Sequence, residues 1–524
     1  MNPQLQSMLQ QAIQYTQQGN FSQAKQLFSY ILKMQPKNFD ALYAMGFIHG
    51  VEGNHLEASN YSLRAVKIRP DDLEININCA KSFQEAGKHL ISIKYHQKAI
   101  FLSPDNHEIW LGYGKSLQGL GRYSEAIAQY DMALSLKPEY AEAWSNKGWA
   151  FHELKRYDEA LDCYDKALNF KPDFAEGYYN KGVSLNELKC YDEALDCYDK
   201  ALNFKPDFAE GWINKSQINL LIKNYQAGWE NYSWRLRAKD FQLKMAIEGL
   251  AIWNGASCKH LLIFSEQGVG DIIFYASMLR VIKNRVESIT IAVDARLLPI
   301  LSRSFPEIVF IDNNAPLDTS LYDAQIPFGS LPAIMNMNPN MDGRSVPYLV
   351  DNDPITKTIK NNSCTKKQLK CGVAWKSNNH KLGKDKSILL SELNDIFQVD
   401  DYEFINLQYG DTQQEINDLE ENCGTKLITV DGIDLFNNID GLLSIIQSCD
   451  FIVTTSNVTA HLAGALGKTT FLLVPYSAGR IWYWHDEVTS SWYPSISLYS
   501  QDQKFSWNGA IKDIAARLRK EAFK

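Results

Sequence analysis

The apolar positions of this chain change rhythm part-way along it. Through roughly residues 5–240, apolar and small residues recur at helical spacing, and the whole pattern returns every 34 residues. The segment YDEALDCYDKALNFKPDFAEG at 157–177 is repeated unchanged at 191–211. The same offset links Pro36, Pro70, Pro104, Pro138, Pro172 and Pro206, and also Trp110, Trp144, Tyr178 and Trp212. Tyr123, Tyr157, Tyr191 and Tyr225 follow it, as do Ala126, Ala160 and Ala194. Each unit reads as a pair of amphipathic helices. Gly114, Gly148, Gly182 and the alanines let the two helices approach, aromatic residues fill the remaining gaps, and Pro opens the turn into the next unit. One pair cannot bury its apolar face alone, so the units must stack. Six full units span roughly 5–208, and a degenerate seventh runs from about 209 to 240.

A 34-residue period with these residue types is the tetratricopeptide signature, which predicts an α-helical solenoid over 1–240. Solenoids present extended concave surfaces, usually to peptides. Asn78, Asn146, Asn180 and Asn214 recur at one position of the inner helix, interrupted by Gly112. An amide both donates and accepts, so such a ladder suits the backbone of an extended acceptor polypeptide. It resembles the asparagine ladder in the superhelix of eukaryotic O-linked N-acetylglucosamine transferases. The alternative is that duplication copied a harmless Asn, which weighs most on Asn180 and Asn214. Asn78 lies in a far more diverged unit.

After a linker at 241–256 the period disappears. Strand-like runs LLIFS (261–265), ITIAV (289–293) and IVFI (308–311) alternate with helical stretches over 257–355. A loop-like segment at roughly 335–368 follows, and a second series occupies 365–524: CGVAW (371–375), FINLQ (404–408), FIVTT (451–455) and FLLV (471–474). Alternating strands and helices predict parallel sheets, so the second half reads as α/β with two Rossmann-like lobes. Ligands bind beyond the carboxyl ends of such strands, here in the cleft between lobes.

Three strand ends carry candidate chemistry. In SEQGVGDIIF (265–274), Gly268 and Gly270 allow close backbone approach to a substrate, and Asp271 is a candidate base. The ordinary role for Asp271 is capping the helix it opens. The third glycine of a dinucleotide fingerprint is missing. In FIVTTSNVTAHLAGALG (451–467), a polar loop leads into a small-residue helix. Its free backbone N–H groups, with Ser456, Asn457 and Thr459, form a candidate diphosphate seat. His461 follows in the first helical turn as a candidate catalytic residue; the bland alternative is a packed, hydrogen-bonded histidine. In VAWKSNNHKLGKDKSI (373–388), Lys376, Lys381, Lys384 and Lys386 are candidates to neutralise a leaving diphosphate, against the usual reading of lysines as a solvated loop. Trp482, Trp484 and Trp492 read as base- or sugar-stacking candidates, or as packing between lobes. Ile511, Ile514, Ala515 and Leu518 form one face of a C-terminal helix expected to pack across the lobes.

Bulk properties narrow the class. Formal net charge is -8, which gives no support to a nucleic-acid partner. The Gln-rich N-terminus does not read as a signal peptide, and no apolar run approaches the ~20 residues a membrane helix needs. The nine cysteines form no Cys-x-x-Cys pair, so a reduced cytoplasmic protein with free thiols and no metal is expected.

Taken in order, EQGVGD, AWKSNNHKLGKDKSI, FINLQYGD, NVTAHLAGALGK and SSWYPSISLY resemble the heptosyltransferase-like glycosyltransferases of bacteria, particularly those with N-terminal tetratricopeptide repeats. The resemblance implies a GT-B fold and metal-independent, inverting transfer from a nucleotide-sugar, which is a substrate and not a cofactor. It places the base at Asp271, the donor phosphates at Ser456 to His461, and basic partners at Lys376 and Lys386. Many relatives carry Asp-Thr where this chain has Ser456-Asn457. The expected acceptor is a protein held by the array, flagellin or another surface protein. The alternatives are a glycan or lipid-linked acceptor with the repeats recruiting partners, or an inactive scaffold.

Overall fold

The structure, a computed structural model, describes residues 3–238, 247–341, 346–361, 369–379, 382–400, 402–477, 479–503 and 505–522. Lys381 and residues 241–246 of the expected linker lie outside the described residues. The chain forms two compact units, Met1–Pro206 and Asp207–Lys524.

The first unit is six helix pairs: Pro3–Gln17 with Phe21–Met34, Phe39–Val51 with His55–Val66, Leu73–Glu85 with His89–Leu102, His107–Gln118 with Tyr123–Leu136, Ala141–Glu153 with Tyr157–Phe170, and Ala175–Glu187 with Tyr191–Phe204. The small positions do what their size requires. A Cβ on Gly114, Gly148 or Gly182 would come within 2.4, 2.7 or 2.8 Å of the rings of Tyr130, Tyr164 and Tyr198. Those rings are buried and fill the groove between paired helices. Between the helices of each pair the chain turns through a left-handed residue. It is Gly at 19, 53, 87 and 121 and Lys at 155 and 189, with φ between 59° and 77°.

The second unit begins with a seventh helix pair, Ala209–Leu221 and Tyr225–Tyr232, and a 3-10 turn, Ser233–Arg237. This pair keeps the repeat spacing, so the sequence pattern puts a boundary at 240, yet it packs into the unit that starts at Asp207. Its apolar residues Leu220, Trp229 and Tyr232 share one core with both sheets that follow. The Trp229 indole N–H donates to the Met337 carbonyl at 2.7 Å.

Two parallel sheets complete the unit. The first has the order β3-β2-β1-β4, with β1 Cys258–Phe264, β2 Val286–Val293, β3 Val309–Asp312 and β4 Ala324–Pro327. The second has the order β6-β5-β7-β8-β9, with β5 Leu369–Ala374, β6 Tyr402–Asn406, β7 Phe451–Thr455, β8 Thr470–Val474 and β9 Ile496–Ser500. The sequence pattern missed β4, which ends in Pro, and β9. In the second sheet the order reverses between β5 and β7. A crevice opens at such a switch point, beyond the carboxyl ends of the strands.

The C-terminal helix, Asn508–Ala522, corrects one expectation. Ile511, Ile514, Ala515 and Leu518 pack with Cys371, Val373, Phe471 and Leu473 in a core made from the second sheet alone. The helix therefore covers one face of that sheet and does not cross between lobes.

Candidate functional site

The loop after β1 leads into the helix Val269–Ala276, with Gly268 as its N-cap residue in extended conformation. Asp271 sits in the first turn, where its carboxylate accepts a bond from the Gly268 N–H. The N-cap position belongs to Gly268, so Asp271 is not the capping residue of the ordinary reading; it lines the cleft from within the first turn. Burial pushes its carboxyl from 3.8 up to about 6, with the Glu266 carboxylate adding to the rise and the Lys386 ammonium and Gly268 N–H opposing it.

The loop after β5 is shaped by Gln408. Its buried side-chain oxygen accepts from the Trp375 and Lys376 N–H groups at 2.8 and 2.7 Å, ending the strand. A Cβ on Gly383 would lie 2.4 Å from the Ser377 carbonyl oxygen, so only glycine lets the loop fold back this tightly. That return carries Lys386 to the cleft, where it is 5% exposed. Burial lowers its pKa while the nearby Asp271 raises it.

The loop after β7 is governed by Asn457, the N-cap residue of the helix Val458–Leu466. Its side-chain oxygen accepts from the Thr459 and Ala460 N–H groups at 2.9 and 3.4 Å and from the Thr454 hydroxyl at 3.1 Å. Its Nδ2 donates to the Lys376 carbonyl at 3.1 Å, tying two strand ends together. The expected seat of free amides is corrected here: two of the helix-start N–H groups are already capped by Asn457. Ser456 accepts from the Trp484 indole N–H at 2.9 Å.

A cleft of about 240 Å³ joins these loops. Of the residues singled out from the sequence, Gly268, Gly270, Asp271, Lys386, Ser456, Asn457 and His461 line it. Lys376 does not. Its ammonium pairs with Glu415, which also accepts from the Trp375 indole N–H at 2.7 Å. Thr459 is fully buried and its hydroxyl does not reach the cleft. Lys384 is exposed, as an ordinary solvated lysine would be.

His461 is buried against the glycine loop: a Cβ on Gly270 would stand 2.9 Å from its ring. Its two nitrogens meet the hydroxyls of Tyr493 and Tyr483 at 3.2 and 3.3 Å. Burial, helped by Lys386, drives its pKa down to about 3, so the ring is neutral at physiological pH. It acts here as a packed, polar wall, with no charge to offer a phosphate. Trp482, Trp484 and Trp492 are all buried, and none lines the cleft.

Sequence reasoning missed Arg296, Tyr409 and Phe436, which also line the cleft. Arg296 follows the carboxyl end of β2, a position that could have flagged it. Its guanidinium is held by Asp294 at 2.7 Å and lies 5.0 Å over the Phe436 ring. Tyr409 directly follows FINLQ, whereas Phe436 lies in a loop with no pattern.

The asparagine ladder is engaged internally. The Nδ2 groups of Asn78, Asn146 and Asn180 donate to the Tyr43 hydroxyl (3.1 Å), the Glu142 carbonyl (2.7 Å) and the Ser145 hydroxyl (3.3 Å). Asn214 belongs to the second compact unit.

Comparison with known proteins identifies the repeats. Tetratricopeptide repeat family models match residues 80–134, 119–155, 141–174 and 175–208. Residues 80–208 are tetratricopeptide repeats. Protein FlbA of Caulobacter vibrioides is 27% identical over 320 residues, covering 56% of this chain and 52% of that protein. The chain thus spans about half the length of this curated relative. Among solved structures, MamA is 22% identical, with 32% of this chain and 97% of that chain covered at a TM-score of 0.29. A tetratricopeptide repeat protein from Parabacteroides merdae is 14% identical, with 46% and 94% covered at 0.41. Among the described residues, no helix is long and apolar enough to cross a membrane.

Proposed function

We propose that the second unit is a GT-B-type glycosyltransferase of the cytoplasm that uses a nucleotide-sugar, and that the repeats hold its protein acceptor. One observation carries the reading. Asp271, on the first sheet's loop, shares a cleft with Lys386, Asn457 and His461 from the second sheet's strand ends. A carboxylate facing a cation across a cleft is the arrangement that displacement of a diphosphate requires.

In this reading the acceptor hydroxyl oxygen attacks the anomeric carbon and Asp271 takes its proton. The bond from that carbon to the phosphate oxygen breaks, and the nucleoside diphosphate leaves with the electron pair. A single displacement inverts the anomeric centre. A carboxyl raised to about 6 is ionised at neutral pH yet more basic than an exposed one. General-base assistance of this kind typically gives ~10²–10⁴-fold. Lys386 supplies positive charge toward the departing diphosphate, a preorganised contribution made in a partly dehydrated site.

A second reading has a specific observation behind it. Because Asn457 caps the amides at 459 and 460, a scaffold that has lost phosphate binding remains the competitor. Thermal shift of the full chain against a panel of nucleoside diphosphates separates the two. The transferase reading expects at least one to stabilise the protein, and Asp271→Asn to keep that stabilisation while losing transfer. No stabilisation by any of them favours the scaffold, and undiminished transfer by Asp271→Asn removes the assigned base.

A further inference from the structure

We infer that Arg235 and Glu266 are positioning residues for the Asp271 loop, so that the turn following the seventh helix pair is a working part of the candidate active site. The inference rests on the transferase reading for its consequence, though not for its geometry.

Glu266 is the residue after Ser265 at the end of β1, and its side chain is 2% exposed. A carboxylate so placed must be paired. Arg235 Nη2 donates to it at 2.7 Å and the Gly329 N–H at 3.1 Å. Arg235 is itself held through both Nη groups, while its buried Nε has no partner among the described residues. Its Nη1 donates to the Tyr232 carbonyl at 3.1 Å, its Nη2 also reaches the Ser330 hydroxyl at 2.8 Å, and its guanidinium lies 4.7 Å over the Tyr232 ring. The next residue of the loop is gripped from the same turn, since Gln267 Nε2 donates to the Tyr232 hydroxyl at 3.1 Å. That hydroxyl also meets the Tyr275 hydroxyl at 3.1 Å, on the helix that carries Asp271. Space has been left for the pair: a Cβ on Gly329 would lie 2.6 Å from Glu266 Oε1 and 3.1 Å from Arg235 Nη2.

Two consecutive loop residues are therefore fixed by residues 232–235. Gly268 follows immediately, and its N–H is the group that the Asp271 carboxylate accepts from. A buried ion pair adds little net stability compared with apolar packing, but its geometry is demanding, and breaking one side leaves a stranded charge. Its use here is to hold the backbone from which Asp271 is aimed. The ionisable groups around that carboxylate are Lys386 and Glu266, the phenols Tyr232, Tyr275 and Tyr483, and the neutral His461 that packs on Gly270.

The test uses the full chain without ligand. The titration midpoint of Asp271 is read as the pH-dependent difference in Tm between each background and the same background carrying Asp271→Asn. The deciding variant is Arg235→Lys, which keeps both charges, so a midpoint displaced by half a unit or more reports a moved loop and not a lost charge; the double Arg235→Met, Glu266→Gln also loses the Glu266 charge, which by itself lowers the midpoint. Arg235→Lys cannot donate to the Tyr232 carbonyl and to Glu266 from two nitrogens at once, and the double variant is expected to show a larger displacement. If the double variant does not fold, Arg235→Lys alone decides. A midpoint unchanged from the parent in the folded variants overturns the inference. Where a donor has been found, the double variant should lower kcat at least tenfold with little change in donor KM. A displaced midpoint in a chain that turns over no donor would keep the positioning role and sink the transferase reading.

Discussion

Asp271→Asn is expected to stabilise the protein at neutral pH even as it removes the proposed base. The carboxyl titrates near 3.8 when unfolded and near 6 in the folded chain, chiefly because folding strips water from it. The folded state thus binds this proton more tightly than the unfolded state does. Stability from the protonated form is fully present below pH 3.8, declines as pH rises through 6, and is gone by about pH 7. A difference of about two units at 1.36 kcal/mol each sets the loss at about 3 kcal/mol. That is an upper bound, since part of Asp271 stays in contact with water. Asparagine has nearly the same shape, can still accept from the Gly268 N–H and carries no charge to desolvate. The variant should therefore gain on the parent progressively between pH 4 and 7, and hold that gain at pH 8. Thermal unfolding of both proteins in matched buffers across pH 4–8 measures it. Parallel curves for parent and variant would refute the desolvation argument, and with it the claim that the cleft holds a basic carboxylate.

Other expected outcomes follow from single contacts. Gly270→Ala presses a methyl group to 2.9 Å from the buried His461 ring and should cost about 1–3 kcal/mol by overpacking, read by urea unfolding. Trp229→Ala, which empties a 2% exposed site and strands the Met337 carbonyl, should cost about 3–5 kcal/mol. Asn457→Ala removes a helix cap and the tie to the Lys376 carbonyl, for a loss of about 1–2 kcal/mol. Truncation offers a folding test. A fragment of residues 207–524 should give a cooperative unfolding transition, whereas one starting at 241 lacks Leu220, Trp229, Tyr232 and Arg235 and should be insoluble or molten by near-UV circular dichroism.

The repeat half was almost entirely legible, because each unit makes mainly local contacts and its needs recur at a fixed offset. Gly148 must be small because Tyr164 lies against it, and both are visible as periodic positions. The strands with strong β patterns were legible too, as was the expectation that their carboxyl ends gather around a cleft. Asp271, Lys386 and Asn457 were all found that way. Lys376 falls outside the cleft lining for a reason no local pattern holds: its partner Glu415 is on a helix that only the folded sheet brings near. Asn457 was read as one polar residue among several at a helix start. Its backbone geometry made it the cap that occupies the amides assigned to a ligand.

The sequence by itself determined a helical repeat array followed by parallel α/β sheets, since hydrophobic period and turn chemistry are written residue by residue. Only the tertiary structure decided which charges reach the cleft, and that the seventh helix pair belongs with the sheets. Those outcomes depend on pairings such as Arg235 with Glu266 and Trp229 with Met337, between segments far apart in the chain. Burial raises the cost of any mismatch there, while local propensity is indifferent to it.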